Sequence, residues 1–593
     1  MEKVVINHNI WYNNYVKTQY VIFNKNNISA KGYVMKFKSI TIKNYRNFES
    51  ISVELSNRNV FFGLNDVGKS NFIHALKLLF EKETRKKNCV ETDYFCHNTS
   101  TPIVIMVAID ISDEDNNTEK LRAKMSGVAL SDENILYIKL EAHYNETEML
   151  GIPILYWGGD VKNLFEMNQK GYMYDIDYVF NVIYIDSYVD MFKLFSYNAK
   201  KLIRCDDEDK CTLQSIDGTI SQLNDFIASL SGVRKFEDEI THRIQKYRDK
   251  NLSVEIKSEI AVKELFNNVI PYIKKEKDNR LYPTAGDGRK KLLAYSIFDI
   301  LSEEFNENKI NLFFIEEPEN HMHKSMQISL SKIFFNNNGH EFLFITTHSP
   351  YILYEMDNVS LIRIYNDIHH FHPIGASYFY NISEDLAPLK YILNAKLAEA
   401  VFANKVLLVE GPSEALLFGK ILSFLNPDYE ADGGYILTVN GVAFESYYKF
   451  LKKLDIHVIV KTDNDLRQVP NSDEFNCLGF LRCNKLLGEN ILPTENIDEN
   501  SIKSKRKIYE NNISELVAIR KQYSIYLSRC DLEHDLDEVM HDKLISYLKN
   551  DDPVKYLQQS KEYHMAELIQ KLSDEDCKTI AAHDNFQCLQ ELK

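Results

Sequence analysis

The chain contains 593 residues, of which 44% are hydrophobic and 26% are charged, and its formal net charge is −16. One hydrophobic core seldom supports a chain of this length, so we expect several domains. No stretch approaches the roughly 18 consecutive apolar residues of a membrane-spanning helix and no signal peptide opens the chain, which predicts a cytoplasmic protein without a membrane partner.

A polar extension opens the chain, and apolar strands that alternate with helical patterns follow it. Residues 1–34 are polar and predict an N-terminal extension, either an appendage or the product of an early assigned start codon. The alternation that begins at Met35 is typical of an α/β domain, which we divide into residues 35–110 and 281–375. Residues 111–280 are predicted to be an insertion, and residues 216–274 within it have long helical periodicity. A dimer contact and a solvated helical hairpin remain equally open for it.

A glycine-rich loop follows the first buried strand pattern of this domain. Residues 63–70 match G-x-x-x-x-G-K-[ST], with an apolar strand before them and helical periodicity after them. Gly63 and Gly68 allow the backbone N–H groups to face phosphate oxygens at a helix N-terminus. Lys69 would neutralise the β- and γ-phosphates and Ser70 would bind Mg²⁺. With Asn65 inside the loop, these residues predict an ATP site.

Two later strand ends carry polar residues that suit the same site. Glu316 and Glu317 end an apolar strand, and His348 follows the next one. We assign Glu316 to the metal and Glu317 to the attacking water, because neighbouring carboxylates at a strand end can divide these roles. His348 is placed to sense the γ-phosphate.

These motifs resemble the ABC-type ATPases of the SMC-like and OLD (overcoming lysogenization defect) groups. The resemblance implies that ATP is sandwiched between two heads, with a signature loop donated in trans, so a homodimer or larger assembly is expected. Residues 286–290 stand at the matching position but depart from the Ser-Gly-Gly pattern of transporters. Glu316 also stands where most ABC proteins have Asp.

A second α/β pattern occupies residues 401–593, after a linker predicted at 376–400. Glu410 ends one apolar strand, with Glu414 shortly after it, and Asp463 and Asp465 follow a later strand. The carboxyl ends of neighbouring parallel strands meet at one edge of a sheet, so we expect these carboxylates to converge. Oxygen ligands of this kind suit Mg²⁺ or Mn²⁺, and metal ions so held can assist phosphodiester cleavage.

This second pattern resembles a Toprim domain. Asn440-Gly441 also resembles the Toprim pattern of OLD proteins. The resemblance implies a further acidic ligand at Glu533 and a lysine at Lys561 that could stabilise charge on the phosphate. An exposed helical charge is an equally good interpretation of each of these two residues.

The order of the two domains is diagnostic of OLD-family nucleases. The predicted fold is α/β, an ABC-type ATPase head with a helical insertion followed by a Rossmann-like Toprim domain with a helical C-terminal region. The resemblance implies an ATP-dependent DNA endonuclease, the nuclease effector of an anti-phage system, with a helicase or reverse transcriptase as a possible partner. An ATP-dependent DNA-binding switch that does not cut is the alternative, and a topoisomerase-like enzyme would need a nucleophilic tyrosine that we cannot identify.

Charge clusters add little to this interpretation. The net charge averages over all domains, so it does not exclude a nucleic-acid partner. Short basic clusters at residues 85–87, 289–291 and 503–507 are interpreted as solvated faces. The nine cysteines form no C-x-x-C pair, so we expect neither a zinc site nor a disulfide framework.

Overall fold

The architecture is taken from a computed structural model. It describes residues 35–113, 115–125, 134–187, 210–235, 237–238, 272–275, 278–283, 291, 295, 309–336, 341–366, 372–382, 390–439 and 444–593. The N-terminal extension, the loop at residues 286–290 and the Asn440-Gly441 pair lie outside these residues.

Sixteen described strands precede the Toprim region. They are β1 (Lys36–Tyr45), β2 (Phe48–Glu54), β3 (Arg58–Phe62), β4 (Ile103–Asp110), β5 (Ile135–Asn145), β6 (Leu150–Gly158), β7 (Phe165–Glu166), β8 (Gln169–Lys170), β9 (Met173–Tyr174), β10 (Phe180–Ile185), β11 (Tyr272–Lys275), β12 (Asp278–Pro283), β13 (Ile310–Glu316), β14 (Phe342–Thr346), β15 (Val359–Asn366) and β16 (Pro373–Tyr380). The helices among them are α1 (Lys69–Phe80), α2 (Lys82–Arg85), α3 (Asn116–Met125), α4 (Ile176–Val179), α5 (Lys210–Ser229), α6 (Lys324–Asn336) and α7 (Lys390–Ala400), with 3₁₀ turns at Glu91–Asp93, Phe95–His97 and Pro350–Leu353.

The Toprim region continues the same numbering. Its strands are β17 (Lys405–Val409), β18 (Gly434–Thr438), β19 (His457–Thr462), β20 (Leu466–Gln468), β21 (Phe475–Cys477) and β22 (Ile525–Leu527). Its helices are α8 (Pro412–Leu425), α9 (Phe444–Lys453), α10 (Leu478–Leu487), α11 (Ile502–Asn511), α12 (Ile513–Tyr523), α13 (Leu532–Leu548), α14 (Pro553–Gln559), α15 (Lys561–Ile569), α16 (Asp574–Ala582) and α17 (Cys588–Leu592), with a 3₁₀ turn at Asp584–Phe586.

Two six-stranded sheets form the predicted ATPase head. The first, ordered β2-β1-β4-β5-β6-β7, is antiparallel and its strands alternate buried and exposed residues. The second, ordered β10-β13-β14-β3-β15-β16, is parallel except at β16. Strands β13 and β14 are buried almost throughout, as expected for parallel strands covered on both faces. This order sets the ends of β13, β14 and β3 side by side.

The predicted insertion and linker need correction. Strands β5 and β6 complete the first sheet and β10 pairs with β13 in the second, so residues 135–185 belong to the head rather than to an insertion beginning at residue 111. We propose a narrower insertion, between Ile185 and Ile310. The predicted linker contains the end of β16 and helix α7, whose Leu397 and Ala398 are buried in the core. The local pattern of one strand does not show which distant strand it pairs with, so the sequence could not assign these strands to the head.

The Toprim domain is built on a four-stranded parallel sheet ordered β18-β17-β19-β22. Strands β17 and β19 are neighbours, which sets Glu410 and Asp463 at the same carboxyl edge. Helices α8 and α13 to α17 cover one side in a core of their own. Within the described residues, no helix is both long and apolar enough to cross a bilayer.

The head and the Toprim domain share one hydrophobic core. Buried residues of β3, β13 and β14 belong to the same cluster as those of β17 and β19. Phe62, the residue before the glycine loop, packs edge-on against Phe402 with ring centroids 5.6 Å apart. Arg363, on β15, is buried and donates hydrogen bonds to the carbonyl oxygens of Leu454 (3.3 Å) and Asp455 (2.5 Å).

The same guanidinium also reaches the start of the Toprim sheet. It donates to Asn404 Oδ1 at 2.7 Å, and Asn404 in turn accepts the backbone N–H of His457, the first residue of β19. Arg363 therefore ties the head to the two segments that immediately precede the central Toprim strands β17 and β19.

We expect Arg363→Ala to lower the free energy of unfolding by about 2–4 kcal/mol, because it removes charge-assisted hydrogen bonds and leaves buried acceptors unpaired. Tyr365→Phe is the control, since it removes one hydrogen bond to Asp455 at the edge of the same contact. Thermal and denaturant unfolding would measure both variants. Equal stability of Arg363→Ala and wild type would contradict the proposed role of Arg363 in joining the domains.

Candidate functional site

The glycine loop adopts a backbone that only its glycines allow. Gly63 has φ 151°, and a Cβ there would lie 2.1 Å from the carbonyl oxygen of Ile364. Gly68 has φ 102°, and its Cβ would lie 2.2 Å from Nδ2 of Asn47. Left-handed backbone and close approach both require the absence of a side chain. The loop is thus held between β15 and the turn after β1.

Lys69 lies folded along this loop. Its Nζ donates to the carbonyl oxygens of Gly63 (3.1 Å) and Leu64 (2.6 Å). Burial lowers the pKa of Lys69 to about 8, against the opposing charge of Glu317. A lysine with this pKa is half protonated near pH 8 and gains its full charge there when an anion binds beside it.

A cavity of about 470 Å³ opens over the loop. It is lined by Asn65, Asp66, Gly68, Lys69, Ser70, Asn71, Glu317 and His348. Six of these residues, all except Asp66 and Asn71, were predicted from the sequence as nucleotide-site residues. Ser70 and Glu317 thus face one space although nearly 250 residues separate them.

Glu316 lies beside this cavity at the end of β13. Its Oε1 accepts a hydrogen bond from the Tyr184 hydroxyl at 2.9 Å, and Ser70 also donates to it. Burial raises the pKa of Glu316, and these two hydrogen bonds oppose the rise. Ser70 and Glu316 are therefore in contact, and the assignment of both to one metal ion stays a prediction.

Glu317 and His348 form the other wall. Glu317 has φ 42°, a left-handed conformation that is uncommon outside glycine, and accepts from Asn320 Nδ2 at 2.8 Å. His348 Nε2 lies 3.4 Å from Glu317 Oε1. Burial and the nearby charge of Lys69 lower the pKa of His348, which favours a neutral imidazole. The residue predicted to orient the attacking water and the residue predicted to sense the γ-phosphate are therefore in contact.

Three residues of this site were missed in the sequence. Glu319 is buried and its Oε1 accepts from the His348 backbone N–H (2.6 Å) and the Thr347 hydroxyl (2.9 Å). Asn47 donates to the Val67 carbonyl oxygen at 3.0 Å, and Arg46 donates to Asn71 Oδ1 at 3.0 Å. The Tyr-Arg-Asn turn after the first strand was the available signal for Arg46 and Asn47, and the run Glu-Glu-Pro-Glu was the signal for Glu319.

The second site lies at the carboxyl edge of the Toprim sheet. Glu410 Oε1 accepts from the Thr462 hydroxyl (2.7 Å) and from the backbone N–H of Asp463 (2.9 Å). Arg482 on α10 donates to the same oxygen and forms an ion pair with Glu410. The predicted neighbours on β17 and β19 are therefore joined directly.

Asp465 turns towards two cations. Its carboxylate lies 3.7 Å from Arg482 Nη2 and 3.7 Å from Lys505 Nζ. Within the described chain, no group of three or more His, Cys, Asp or Glu side chains is arranged to hold a metal ion. The predicted convergence of three carboxylates is thus incomplete, because Arg482 binds Glu410 and reaches towards Asp465 between the strand ends.

Three carboxylates of this site are buried together. Burial and repulsion from Glu410 and Glu414 raise the pKa of Asp463 well above its usual value. Burial raises the pKa of Glu414 to about 7, with Glu410 and Glu533 adding to the rise. The pKa of Glu533 is also raised by burial, and its Oε2 has no hydrogen-bond partner.

Lys561 completes this group electrostatically. Burial alone would lower its pKa, but the charges of Glu533, Asp463 and Glu414 raise it above the usual value. Asp531, which sequence reasoning passed over, adds to the repulsion on Asp463 and caps α13 through the His534 N–H at 2.9 Å. Its signal was a cap residue directly before the Leu-Glu-His-Asp segment. Arg482 was missed as well, since an arginine inside a helix carries no motif.

Two protein families match parts of this chain. Residues 35–154 and 190–353 match the family described as AAA ATPase domain. Residues 401–465 match the family described as overcoming lysogenization defect protein-like, TOPRIM domain.

Relatives and solved structures extend the comparison. Endonuclease GajA of Bacillus cereus (strain VD045) is 41% identical over 579 residues, which cover 94% of this chain and 99% of that protein. The SMC head domain from Thermotoga maritima is 13% identical, with a TM-score of 0.29, over 58% of this chain and all of that one. The C-terminal region of the Burkholderia pseudomallei OLD protein is 19% identical, with a TM-score of 0.20, over 32% and 97%.

Identity at this level over nearly the whole length of both proteins is decisive for family membership. Both domain families occur here in the order that the motifs predicted. The chain therefore belongs to the OLD family of nucleases and is a relative of endonuclease GajA, with an AAA ATPase domain followed by a Toprim domain.

Proposed function

We propose that the protein is an ATP-binding, ATP-hydrolysing and divalent-metal-dependent DNA endonuclease. The observation that carries the proposal is the group of buried carboxylates with raised pKa values at the carboxyl edge of the Toprim sheet. Such a group is unfavourable for folding, because each buried charge repels its neighbours. Natural proteins accept this kind of cost chiefly where the groups serve chemistry.

The head supplies the nucleotide site. The backbone around Gly63 and Gly68 would bind the phosphates, with Lys69 beside the β- and γ-phosphates. Ser70 and Glu316, which are hydrogen-bonded to each other, suit a shared Mg²⁺. Glu317 would orient the attacking water, and the neutral imidazole of His348 would contact the γ-phosphate.

The Toprim carboxylates are of the donor type that suits a divalent cation, although within the described residues no three of them converge on one position. Glu533 has an unpartnered buried oxygen, and the oxygen donors of Glu410, Glu414 and Asp463 are the type that Mg²⁺ and Mn²⁺ prefer. We include Asp465 in the same ligand set. When bound, divalent ions supply an activated water and neutralise the leaving oxygen of a phosphodiester.

The remaining chemistry belongs to residues of this chain. Lys561 carries a positive charge that the surrounding carboxylates maintain, so it can stabilise negative charge on the phosphate. Glu414, with a pKa of about 7, can hold or release a proton at neutral pH. The hydrogen bond from the Asp463 N–H orients Glu410.

The cellular role follows from family membership and is proposed on that ground. We propose a cytoplasmic homodimer or larger assembly, because ABC-type heads bind ATP between two copies. We further propose that the protein is the nuclease effector of an anti-phage system, with a helicase or a reverse transcriptase as its partner. An ATP-dependent DNA-binding switch remains the competing function, and the cleavage experiment below distinguishes the two.

ATP binding at pH 8 is expected to take up about 0.5 proton per site, because the pKa of Lys69 is about 8 in the free protein and phosphate charge raises it. Calorimetric titration in two buffers of different ionisation enthalpy would measure the uptake. Lys69→Arg stays charged at this pH, so its residual binding should show none. Identical heats in both buffers for the wild type would contradict the placement of Lys69 at the phosphates.

We expect Asp463→Asn to raise the melting temperature in EDTA and to abolish stabilisation by Mn²⁺. The raised pKa means that ionised Asp463 destabilises the folded protein above pH about 4, where an unfolded Asp ionises, and the effect disappears at lower pH. Metal at 100 times its Kd adds about 2.7 kcal/mol of stability, which the variant should lose. Asp473→Asn, at an exposed position, is the control. Full Mn²⁺ stabilisation of Asp463→Asn would exclude this metal site.

Purified protein is expected to cut supercoiled plasmid with Mg²⁺ or Mn²⁺. Asp463→Asn should lower the rate by at least about 100-fold, since even residues that only orient a metal ligand commonly cost about 10- to 100-fold. Lys69→Ala should remove any effect of ATP on the rate and so reveal its direction. A wild type that binds DNA but cuts under no combination of metal and nucleotide would support the switch instead.

A further inference from the structure

Helix α11 concentrates positive charge in an otherwise acidic protein. Its sequence, IKSKRKIYEN, contains four basic residues and one acidic residue, whereas the whole chain has a net charge of −16. The sequence alone favoured a solvated face for this cluster. Its position in the fold changes that interpretation.

The helix is attached to the Toprim site. Lys505 Nζ lies 3.7 Å from Asp465 Oδ1, and the Lys505 carbonyl oxygen accepts from Asn464 Nδ2 at 3.1 Å. Asn464 separates Asp463 from Asp465 in the chain and is fully buried. The helix backbone is therefore fixed relative to the carboxylates.

A second set of cations faces away from this attachment. Lys503, Arg506 and Lys507 are spaced three and four residues apart, so they share one face of the helix. Arg506 and Arg529 both pair with Glu538, at 2.9 and 3.2 Å, while their side chains stay 43% and 40% exposed. One carboxylate thus serves two guanidinium groups.

The two lysines of this face are exposed. The ion pairs found in the described part of the chain include neither Lys503 nor Lys507. Along the helix axis they are about 6 Å apart, close to the rise of two nucleotides of one strand along the axis of a DNA duplex, which is about 7 Å. We name the face formed by Lys503, Arg506, Lys507 and Arg529 the α11 basic face.

We propose that the α11 basic face binds the phosphate backbone of the DNA substrate next to the phosphodiester that is cut. This deepens the proposed endonuclease function and rests on it. The Toprim carboxylates repel DNA, so an approaching strand needs fixed cations directly beside them. Lys505, between the face and Asp465, connects the two regions. Contacts to phosphate carry no base information, so the face contributes affinity and position rather than sequence preference.

The test compares two double variants of the full-length chain in an Asp463→Asn background with Mg²⁺. Lys503→Gln/Lys507→Gln removes two charges of the face, and Lys36→Gln/Lys332→Gln removes two exposed charges of the head. Binding to two unrelated DNA duplexes is measured from low to high salt. The first variant should reduce the slope of log affinity against log salt by about 2, equally for both duplexes. The second should leave the slope unchanged.

Equal slopes for both double variants would overturn the α11 basic face, as would a loss confined to one duplex sequence. Plasmid cleavage is then measured for the same double variants in a chain that retains Asp463. This measurement distinguishes failure of the α11 basic face from failure of the proposed endonuclease function. Cleavage by Lys503→Gln/Lys507→Gln with a raised KM for DNA supports both proposals. A reduced salt slope together with a wild type that never cuts would retain the DNA-binding face and reject the endonuclease. Cleavage with unchanged slope and KM would do the reverse.

Discussion

The packing of β15 against the glycine loop and the Toprim domain organises the whole molecule. The Ile364 carbonyl oxygen occupies the space that a side chain on Gly63 would need, and the next residue back, Arg363, donates into the Toprim domain. Phe62 adds a ring contact across the same boundary. The start of the phosphate-binding loop and the start of β19 are therefore held by one strand. The glycine loop and the strand that precedes Asp463 are thus connected through packed residues.

The Toprim edge is defined by an imbalance of charge. Buried carboxylates raise one another's pKa values, and the cations around them compensate only part of the negative charge. Arg482 pairs with Glu410, Lys505 approaches Asp465, and Lys561 is charged through its acidic neighbours. The nuclease centre is thus a site that gains stability from added positive charge. The basic residues of α11 add further positive charge next to this site, on the face that we propose contacts the DNA backbone.

Local pattern was sufficient wherever a motif ended a buried strand. The glycine loop, the Glu-Glu end of β13, His348 after β14 and the acidic ends of β17 and β19 were all recognisable, and the family and the two-domain α/β fold are confirmed. The roles assigned to individual residues stay predictions. Pattern failed for β5, β6 and β10, whose partners are distant in the chain, and for the predicted linker, part of which is a core helix.

The sequence by itself determined the family, the order of the domains and most residues that line the two sites, because those residues lie at fixed offsets from strands and glycines. Only the tertiary structure decided what surrounds them. Arg482 and Lys505 belong to no motif. Arg363 joins the domains partly through backbone carbonyl oxygens, which every residue type has and which no sequence pattern can therefore single out. Burial determines the pKa values of Lys69 and Glu414, and burial depends on elements far apart in the chain. Long-range packing and desolvation are properties of the folded molecule, and no local pattern encodes them.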